Sequence, residues 1–190
     1  MVNNYHTREK VTRLEKCVAE NGAAVTSVEW EALSGPRFDS FDGVVLSGSP
    51  DMMTDPKVQA KFESEAQAVR ESSIPILGVC FGHQLMARAF GAEIVKDRQH
   101  VLAMVRTTVV KKDALFAGLP KSLMLLESRY EVVKSLPAGF HLLAKSQTSR
   151  IAAMKHGSRP LYGVQFHPER FTLENPEGNQ VVGNFVRLLK

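Results

Sequence analysis

The amino-acid sequence predicts an α/β fold in which a mostly parallel sheet is sandwiched by helices. Segments of strand length alternate with amphipathic segments of helix length through most of the chain. The strand segments are apolar at successive positions, as expected for parallel strands that helices cover on both faces. In the middle of the chain, strand-like segments follow one another with short connections, which predicts an antiparallel extension. We expect residues 1–190 to form a single domain.

The first half of the chain carries the clearest alternation. Residues 7–20 are predicted to form a helix, because apolar residues recur at helical spacing and an Asn-Gly pair follows as a stop. Asp55 and Pro56 open a later helix as N-cap and first-turn proline. Only two residues precede the polar Asn-Asn-Tyr segment before the first helix, so the first strand is either very short or trimmed. The other elements predicted here are strands 23–28, 41–47 and 74–79 and helix 84–90.

The second half is predicted to continue the sheet and to close with an amphipathic helix. Its strand segments are short, apolar and separated by turn residues. The predicted elements are strands 94–95, 101–110, 123–126, 140–144, 151–154 and 161–166 and helix 181–189.

The composition excludes several classes of protein. Hydrophobic residues make up 44% and charged residues 23% of the chain, which is ordinary for a globular protein. The net charge of +4 and the absence of long basic runs argue against nucleic-acid or membrane partners. No apolar segment has the length of a membrane span or of a signal peptide. The two cysteines, Cys17 and Cys80, lack the spacing of a disulfide framework, which indicates free thiols in a reducing, cytoplasmic compartment.

Cys80 lies where an apolar strand meets a helix, within the segment GVCFG at residues 78–82. This spacing is that of a nucleophile elbow with cysteine in place of serine. The flanking glycines permit a strained backbone, and the N-terminus of the following helix favours a thiolate. The N–H of Phe81 would then be free to bind an oxyanion. The alternative is a buried cysteine in a glycine-rich loop.

His167 is the histidine best placed to act as a base for this nucleophile. It directly follows strand 161–166, and Pro168 turns the chain out of the sheet. Its ring is therefore expected at the same sheet edge as Cys80, where open α/β folds place their sites. Glu169 can hold the other ring nitrogen and complete a triad. The remaining histidines are predicted to be solvated, structural or directed away from the thiol: His6, His83, His100, His141 and His156.

A Ser-Gly-Ser-Pro turn at residues 47–50 ends strand 41–47 at that same edge. Backbone N–H groups of such a turn can complete an oxyanion hole, and an ordinary surface turn is the alternative interpretation. No pair of cysteines or histidines has the spacing of metal ligands, so we expect no metal.

Three segments resemble the class I (triad-type) glutamine amidotransferases: PILGVCFGHQLMARAFGA at 75–92, VVLSGSPD at 44–51 and LYGVQFHPE at 161–169. The resemblance covers essentially the whole chain and implies a flavodoxin-like three-layer sandwich. It also implies that Cys80 is the nucleophile, His167 the base and Glu169 the residue that orients the base. The substrate contacts that it implies are Gly48 and Phe81 through backbone N–H groups, Gln84, and the main chain of Ser128, Arg129 and Tyr130.

The reaction implied by this resemblance is hydrolysis of L-glutamine to glutamate and ammonia through a γ-glutamyl thioester, without a cofactor. Ammonia would pass to a synthetase partner. The segment at residues 152–169 is most similar to the separate amidotransferase subunit of archaeal-type GMP synthases, which makes GMP synthase the candidate partner. Three positions depart from that pattern: Ser49 replaces a common glycine, Arg129 replaces a usual histidine, and Val132 interrupts an acidic pair.

Two other functions remain open from the sequence: a stand-alone γ-glutamyl hydrolase with the same triad, and a non-catalytic regulatory subunit. The side chain of Arg129 has three interpretations. We expect it to point outward to an acidic surface of the partner; pairing with the substrate carboxylate and simple solvation are the alternatives.

Overall fold

Strands and helices alternate through the first half of the chain, as the apolar pattern predicts. The computed structural model describes residues 1–32, 38 and 40–189. The strands are β1 (Val2–Asn3), β2 (Val28–Glu29), β3 (Val44–Leu46), β4 (Ile76–Val79), β5 (Ile94–Val109), β6 (Ser122–Val133), β7 (Phe140–Ser146), β8 (Ala153–His156) and β9 (Leu161–Val164). The α-helices are α1 (Thr12–Glu20), α2 (Pro56–Lys61), α3 (Glu63–Glu71), α4 (Phe81–Ala89) and α5 (Glu177–Val186).

Within the described residues the strands form one mixed sheet in the order β2-β1-β3-β4-β9-β8-β7-β5-β6. The pairs from β2 to β9 are parallel, and those from β9 to β6 are antiparallel. This arrangement confirms the predicted flavodoxin-like fold with a parallel core and an antiparallel extension. None of the described helices combines the length and the apolar character needed to cross a membrane.

Two hydrophobic clusters, one on each face of the sheet, make the three layers. One cluster is formed with α3 and α4 and contains Phe62, Val69 and Leu85. The other is formed with α1 and α5 and contains Leu14 and Phe185. The sheet is therefore covered on both faces, which explains why its parallel strands are uniformly apolar.

Several predicted boundaries differ from the structure. The helix predicted from residue 7 begins at Thr12, after a 3₁₀ turn at Arg8–Lys10. The strand predicted over 23–28 is reduced to β2, and the two strands predicted over 94–95 and 101–110 are the single bulged strand β5. The helix that opens at Asp55 is divided at Phe62, whose ring is buried between Trp30 and Phe81.

The register of the parallel strands sets the position of the candidate site. Leu46 of β3 pairs with Gly78 of β4, and Val79 of β4 pairs with Val164 of β9. The segments that follow these three strands therefore leave the sheet at one edge. They carry Gly48, Cys80 and His167 respectively.

Candidate active site

The turn between β4 and α4 holds Cys80 in a strained backbone conformation. Cys80 has φ 51° and ψ −100°, and it is the only non-glycine residue with a positive φ in the part of the chain that the structure describes. A Cβ on Gly78 would lie 2.5 Å from the carbonyl oxygen of Gly82, and one on Gly82 would lie 2.6 Å from that of Leu46. Both glycines are needed because backbone approaches them closely. The predicted elbow is confirmed as a geometry, with α4 beginning at Phe81 rather than at residue 84.

Two backbone N–H groups point to an unfilled anion site beside the thiol. The N–H of Cys80 bonds to Val164 (2.8 Å) and that of Gly82 to Ser47 (3.2 Å). In contrast, the N–H groups of Phe81 and Gly48 have no acceptor within the described residues. Gly48 is also close to the catalytic histidine candidate, since a Cβ on it would lie 3.3 Å from Cε1 of His167. This arrangement has the donors that an oxyanion requires.

His167 and Glu169 form a buried pair at the same edge. Nδ1 of His167 lies 2.8 Å from Oε1 of Glu169, and the backbone N–H of His167 donates to Leu126 (2.8 Å). Burial alone would lower the pKa of His167, but the Glu169 carboxylate and the Cys80 sulfur outweigh it and hold that pKa well above its ordinary value. The ring is therefore suited to carry a proton next to the thiol. The thiol itself donates to the carbonyl of Ser128 at 3.5 Å.

A cleft of about 440 Å³ opens above these groups, within the size range of small-ligand sites. Most of the predicted site residues line it together with several polar residues from the loops. The lining includes Tyr5, Arg13, Ser49, Cys80, Phe81, Gln84, His100, Ser128, Arg129, Tyr130, Glu131, His167, Glu169 and Arg170. Gly48 lies behind Tyr5, whose hydroxyl would be 2.5 Å from a Cβ at that position.

Gln84 is held at the floor of this cleft by two acceptors. Its Nε2 donates to the carbonyl of Glu131 (2.9 Å) and to Oε1 of Gln165 (3.3 Å). The carboxylate of Glu131 in turn accepts from the N–H groups of Met53 (2.6 Å) and Thr54 (2.9 Å). Glu131 thus ties the loop after β3 to β6. Sequence reasoning missed this role, although an acidic residue in a strand with buried alternate positions was a signal for it.

The expectation that Arg129 points outward is wrong. Its side chain is only 1% exposed, and its guanidinium donates to Glu127 (2.9 Å), Asp97 (2.5 Å) and the carbonyl of Thr148 (2.5 Å). The cause is the two-residue period of β6, which buries Glu127, Arg129 and Glu131 and exposes Tyr130. Arg129 therefore reaches neither solvent nor a partner surface through its guanidinium.

Arg13 and Tyr5 are site residues that sequence reasoning missed. Arg13 of α1 donates to the carbonyls of Glu169 (2.8 Å) and Phe171 (3.2 Å), and so fixes the turn after His167. Burial raises the pKa of Tyr5 strongly, with Cys80 and Glu169 as further causes. Tyr5 therefore stays a neutral phenol over the catalytic turn. Neither residue belongs to a recognisable motif, because long-range packing brings both to the site.

The other cysteine and the nearest histidine are unsuited to the chemistry. Burial raises the pKa of Cys17 to about 12, so its thiol stays protonated. Burial lowers the pKa of His83 to about 3, and its ring lies against Gly163 rather than the thiol. Over the residues that the structure describes, no cluster of three or more Cys, His, Asp or Glu side chains could hold a metal ion.

Comparison with known proteins gives consistent matches. The family model described as "Glutamine amidotransferase class-I" matches residues 2–188. One subunit of the glutamine-hydrolysing GMP synthase of Thermococcus kodakarensis is 40% identical over 146 residues, which are 77% of this chain and 74% of the relative. The corresponding subunit of Methanococcus aeolicus is 36% identical over 187 residues, or 98% of this chain and 91% of the relative.

Solved structures match the fold over the same range. A crystal structure from Thermoplasma acidophilum, provisionally described as that same component of a GMP synthase, superposes with a TM-score of 0.87 at 29% identity and covers 99% of this chain and 91% of that one. A glutamine amidotransferase from Thermotoga maritima superposes with a TM-score of 0.69 at 20% identity, covering 83% and 70% of the two chains. The latter shows a shared fold.

Proposed function

The chain belongs to the class I glutamine amidotransferase family, and on that premise we propose that Cys80, His167 and Glu169 are its catalytic triad. Members of this family take ammonia from glutamine and supply it to a synthetase. The observation that carries the assignment is the strained turn at Cys80, which presents the thiol beside the buried His167–Glu169 pair. A purely regulatory protein has no need of this costly geometry.

The reaction begins with attack of the Cys80 thiolate on the side-chain amide carbon of glutamine. The N–H groups of Phe81 and Gly48 receive the negative charge that develops on the amide oxygen. Protonated His167 gives its proton to the departing nitrogen, ammonia leaves, and a γ-glutamyl thioester remains on Cys80. His167 then takes a proton from water, which attacks the thioester and releases glutamate. Glu169 keeps the ring oriented through both transfers.

The substrate's amino-acid end is assigned to the wall that the middle of β6 forms. The main chain of Ser128, Arg129 and Tyr130 borders the cleft, and Gln84 borders it from α4. Since the Arg129 guanidinium is engaged elsewhere, recognition at this wall falls to backbone groups. Both features support the contacts that the resemblance implies.

We assign the ammonia acceptor to a synthetase of the GMP synthase type. The support is the similarity to separate GMP synthase subunits over nearly the full length of both chains. We assign the chain to the cytoplasm on the strength of its two free thiols, Cys17 and Cys80. The single-domain organisation over residues 1–190 stays part of this proposal.

The test is glutamine hydrolysis by the isolated chain and by the chain mixed with the synthetase component of a GMP synthase. We expect hydrolysis that the synthetase stimulates, and covalent labelling of Cys80 by an electrophilic glutamine analogue. Cys17→Ala is the matched control, because it removes the other thiol and should leave labelling unchanged. High activity that no synthetase alters would instead favour the stand-alone hydrolase, and absence of labelling at Cys80 would contradict the triad.

A further inference from the structure

A polar cluster that the mechanism does not use is buried directly behind the nucleophile turn. It consists of Glu65 on α3, Asn4 after β1 and Ser47 after β3, and we call it the Glu65 cluster. Asn4 and Ser47 are fully buried and Glu65 is 1% exposed. Buried polar groups are costly unless they are paired, so the arrangement of their hydrogen bonds is informative.

Asn4 links the other two members of the Glu65 cluster. Its side-chain Nδ2 donates to Oε1 of Glu65 (3.0 Å) and to the carbonyl of Ser47 (3.3 Å). Its backbone N–H donates to Oγ of Ser47 (2.8 Å). The amide orientation is fixed by these contacts, since a reversed amide would direct an oxygen at two acceptors.

The carbonyl of Ser47 also accepts the N–H of Gly82, two residues after Cys80. It is therefore held by two donors, one from Asn4 and one from the nucleophile turn. The carbonyl of Ser47 and the N–H of Gly48 belong to one planar trans peptide unit and point in opposite directions. Fixing the carbonyl therefore fixes the direction of the Gly48 N–H, which the proposed mechanism uses as an oxyanion donor.

Two acceptors of the Glu65 cluster are unpaired when Glu65 is ionised. Oε2 of Glu65 and Oδ1 of Asn4 have no hydrogen-bond donor among the described residues. A proton on Oε2 supplies a donor for Oδ1 and pairs both atoms at once, in the manner of a carboxylic acid bonded to an amide. Burial raises the pKa of Glu65 to about 8, with the Asn4 hydrogen bond as the smaller, opposing cause.

Charged groups on the neighbouring elements are directed elsewhere. Glu63 of α3 pairs with Arg70 of α3 and Arg88 of α4 on the exposed side. His83 of α4 is buried against Gly163. Among the described residues, no ionised side chain contributes to the pKa of Glu65. Nothing there compensates a negative charge on this carboxyl group.

We propose that Glu65 is a positioning residue that stays protonated at neutral pH and, through Asn4, holds the Ser47–Gly48 peptide in the orientation that binds the oxyanion. Ionisation of Glu65 breaks the acid–amide pair and loosens that peptide, which lowers kcat in alkaline solution. The positioning role rests on the proposed glutaminase function. The protonation of Glu65 is a property of the fold and can be measured without turnover.

The kinetic test compares the wild type with Glu65→Gln, Glu65→Leu and the exposed control Glu71→Gln on the same helix. Glutamine keeps the shape and supplies an N–H donor that does not ionise. We expect Glu65→Gln to retain kcat at pH 7 within twofold and Glu65→Leu to lose about tenfold or more in kcat with little change in KM. The ratio of wild-type to Glu65→Gln kcat should fall about tenfold from pH 7 to pH 9, while ionisation of the triad cancels in that ratio. A ratio that does not change with pH, or equal losses in both variants, would overturn the proposal.

The second test measures thermal unfolding against pH in inactive Cys80→Ser protein, with and without Glu65→Gln. A carboxyl group whose pKa is raised by folding stabilises fully below its unfolded pKa, near 4.3, and loses that contribution as pH rises to about 8. We therefore expect Glu65→Gln to raise Tm at pH 8 and the difference to vanish near pH 4. A difference that is constant with pH would refute the proton on Glu65. Absence of turnover in the wild type would instead overturn the glutaminase function, and the positioning role with it.

Discussion

Replacing Arg129 with alanine should destabilise the fold rather than weaken glutamine binding. The guanidinium is a buried cation with three acceptors, two of them carboxylates. The substitution leaves Glu127 fully buried with hydroxyl donors only, from Ser146 and Thr148. Removing one partner of a buried ion pair costs about 3–5 kcal/mol, because the other charge stays desolvated without its counter-ion.

Urea unfolding followed by circular dichroism measures this cost. With a slope of about 2 kcal/mol/M, the midpoint should fall by roughly 1.5–2.5 M. Arg98→Ala, at an exposed position next to Asp97, is the matched control and should change stability by less than about 0.5 kcal/mol. Glu127→Gln made in the Arg129→Ala background should recover part of the loss, because it neutralises the stranded carboxylate. A loss below about 1 kcal/mol for Arg129→Ala, or a raised KM for glutamine in a protein of unchanged stability, would refute the reasoning.

The remaining predictions concern the triad and the oxyanion site. Cys80→Ala should abolish glutamine hydrolysis at a stability cost of only about 1 kcal/mol; hydrolysis by the folded variant would rule out the thioester route. Glu169→Gln should reduce kcat less than His167→Ala does, because orientation is one part of the histidine's role; equal losses in a direct kinetic comparison would contradict this. Gly48→Ala should lower kcat in a folded protein, since the added Cβ would lie 2.5 Å from the Tyr5 hydroxyl and 3.3 Å from the His167 ring; unchanged kcat would mean that both neighbours move aside without affecting the chemistry.

The elbow at Cys80 was predictable because all of its determinants are local. A strand, two glycines and a helix start occupy a few consecutive residues, and the geometry follows from their order. His167 was predictable for a related reason. The carboxyl ends of neighbouring parallel strands share one edge of a sheet, so the residues after β4 and β9 had to lie close together.

The orientation of Arg129 was not predictable from the motif, since it depends on which face of β6 is covered. That face is set by the pairing of β6 with β5 and by the acceptors that Asp97 and Thr148 bring from elsewhere in the chain. Glu65 illustrates the same limit. In the sequence it is one acidic residue of a polar helix, and only tertiary packing shows that its carboxyl group faces the interior.

The left-handed backbone at Cys80 implies that the most stable form of this chain is an inactive one. A non-glycine residue in a sparsely populated conformation costs on the order of 1–3 kcal/mol, and glycine at position 80 would avoid most of that cost while removing the thiol. Selection for heat resistance alone would therefore tend to discard the nucleophile. A screen for more robust variants of this chain has to monitor thiol reactivity alongside melting temperature, because the two properties pull against each other at this one position.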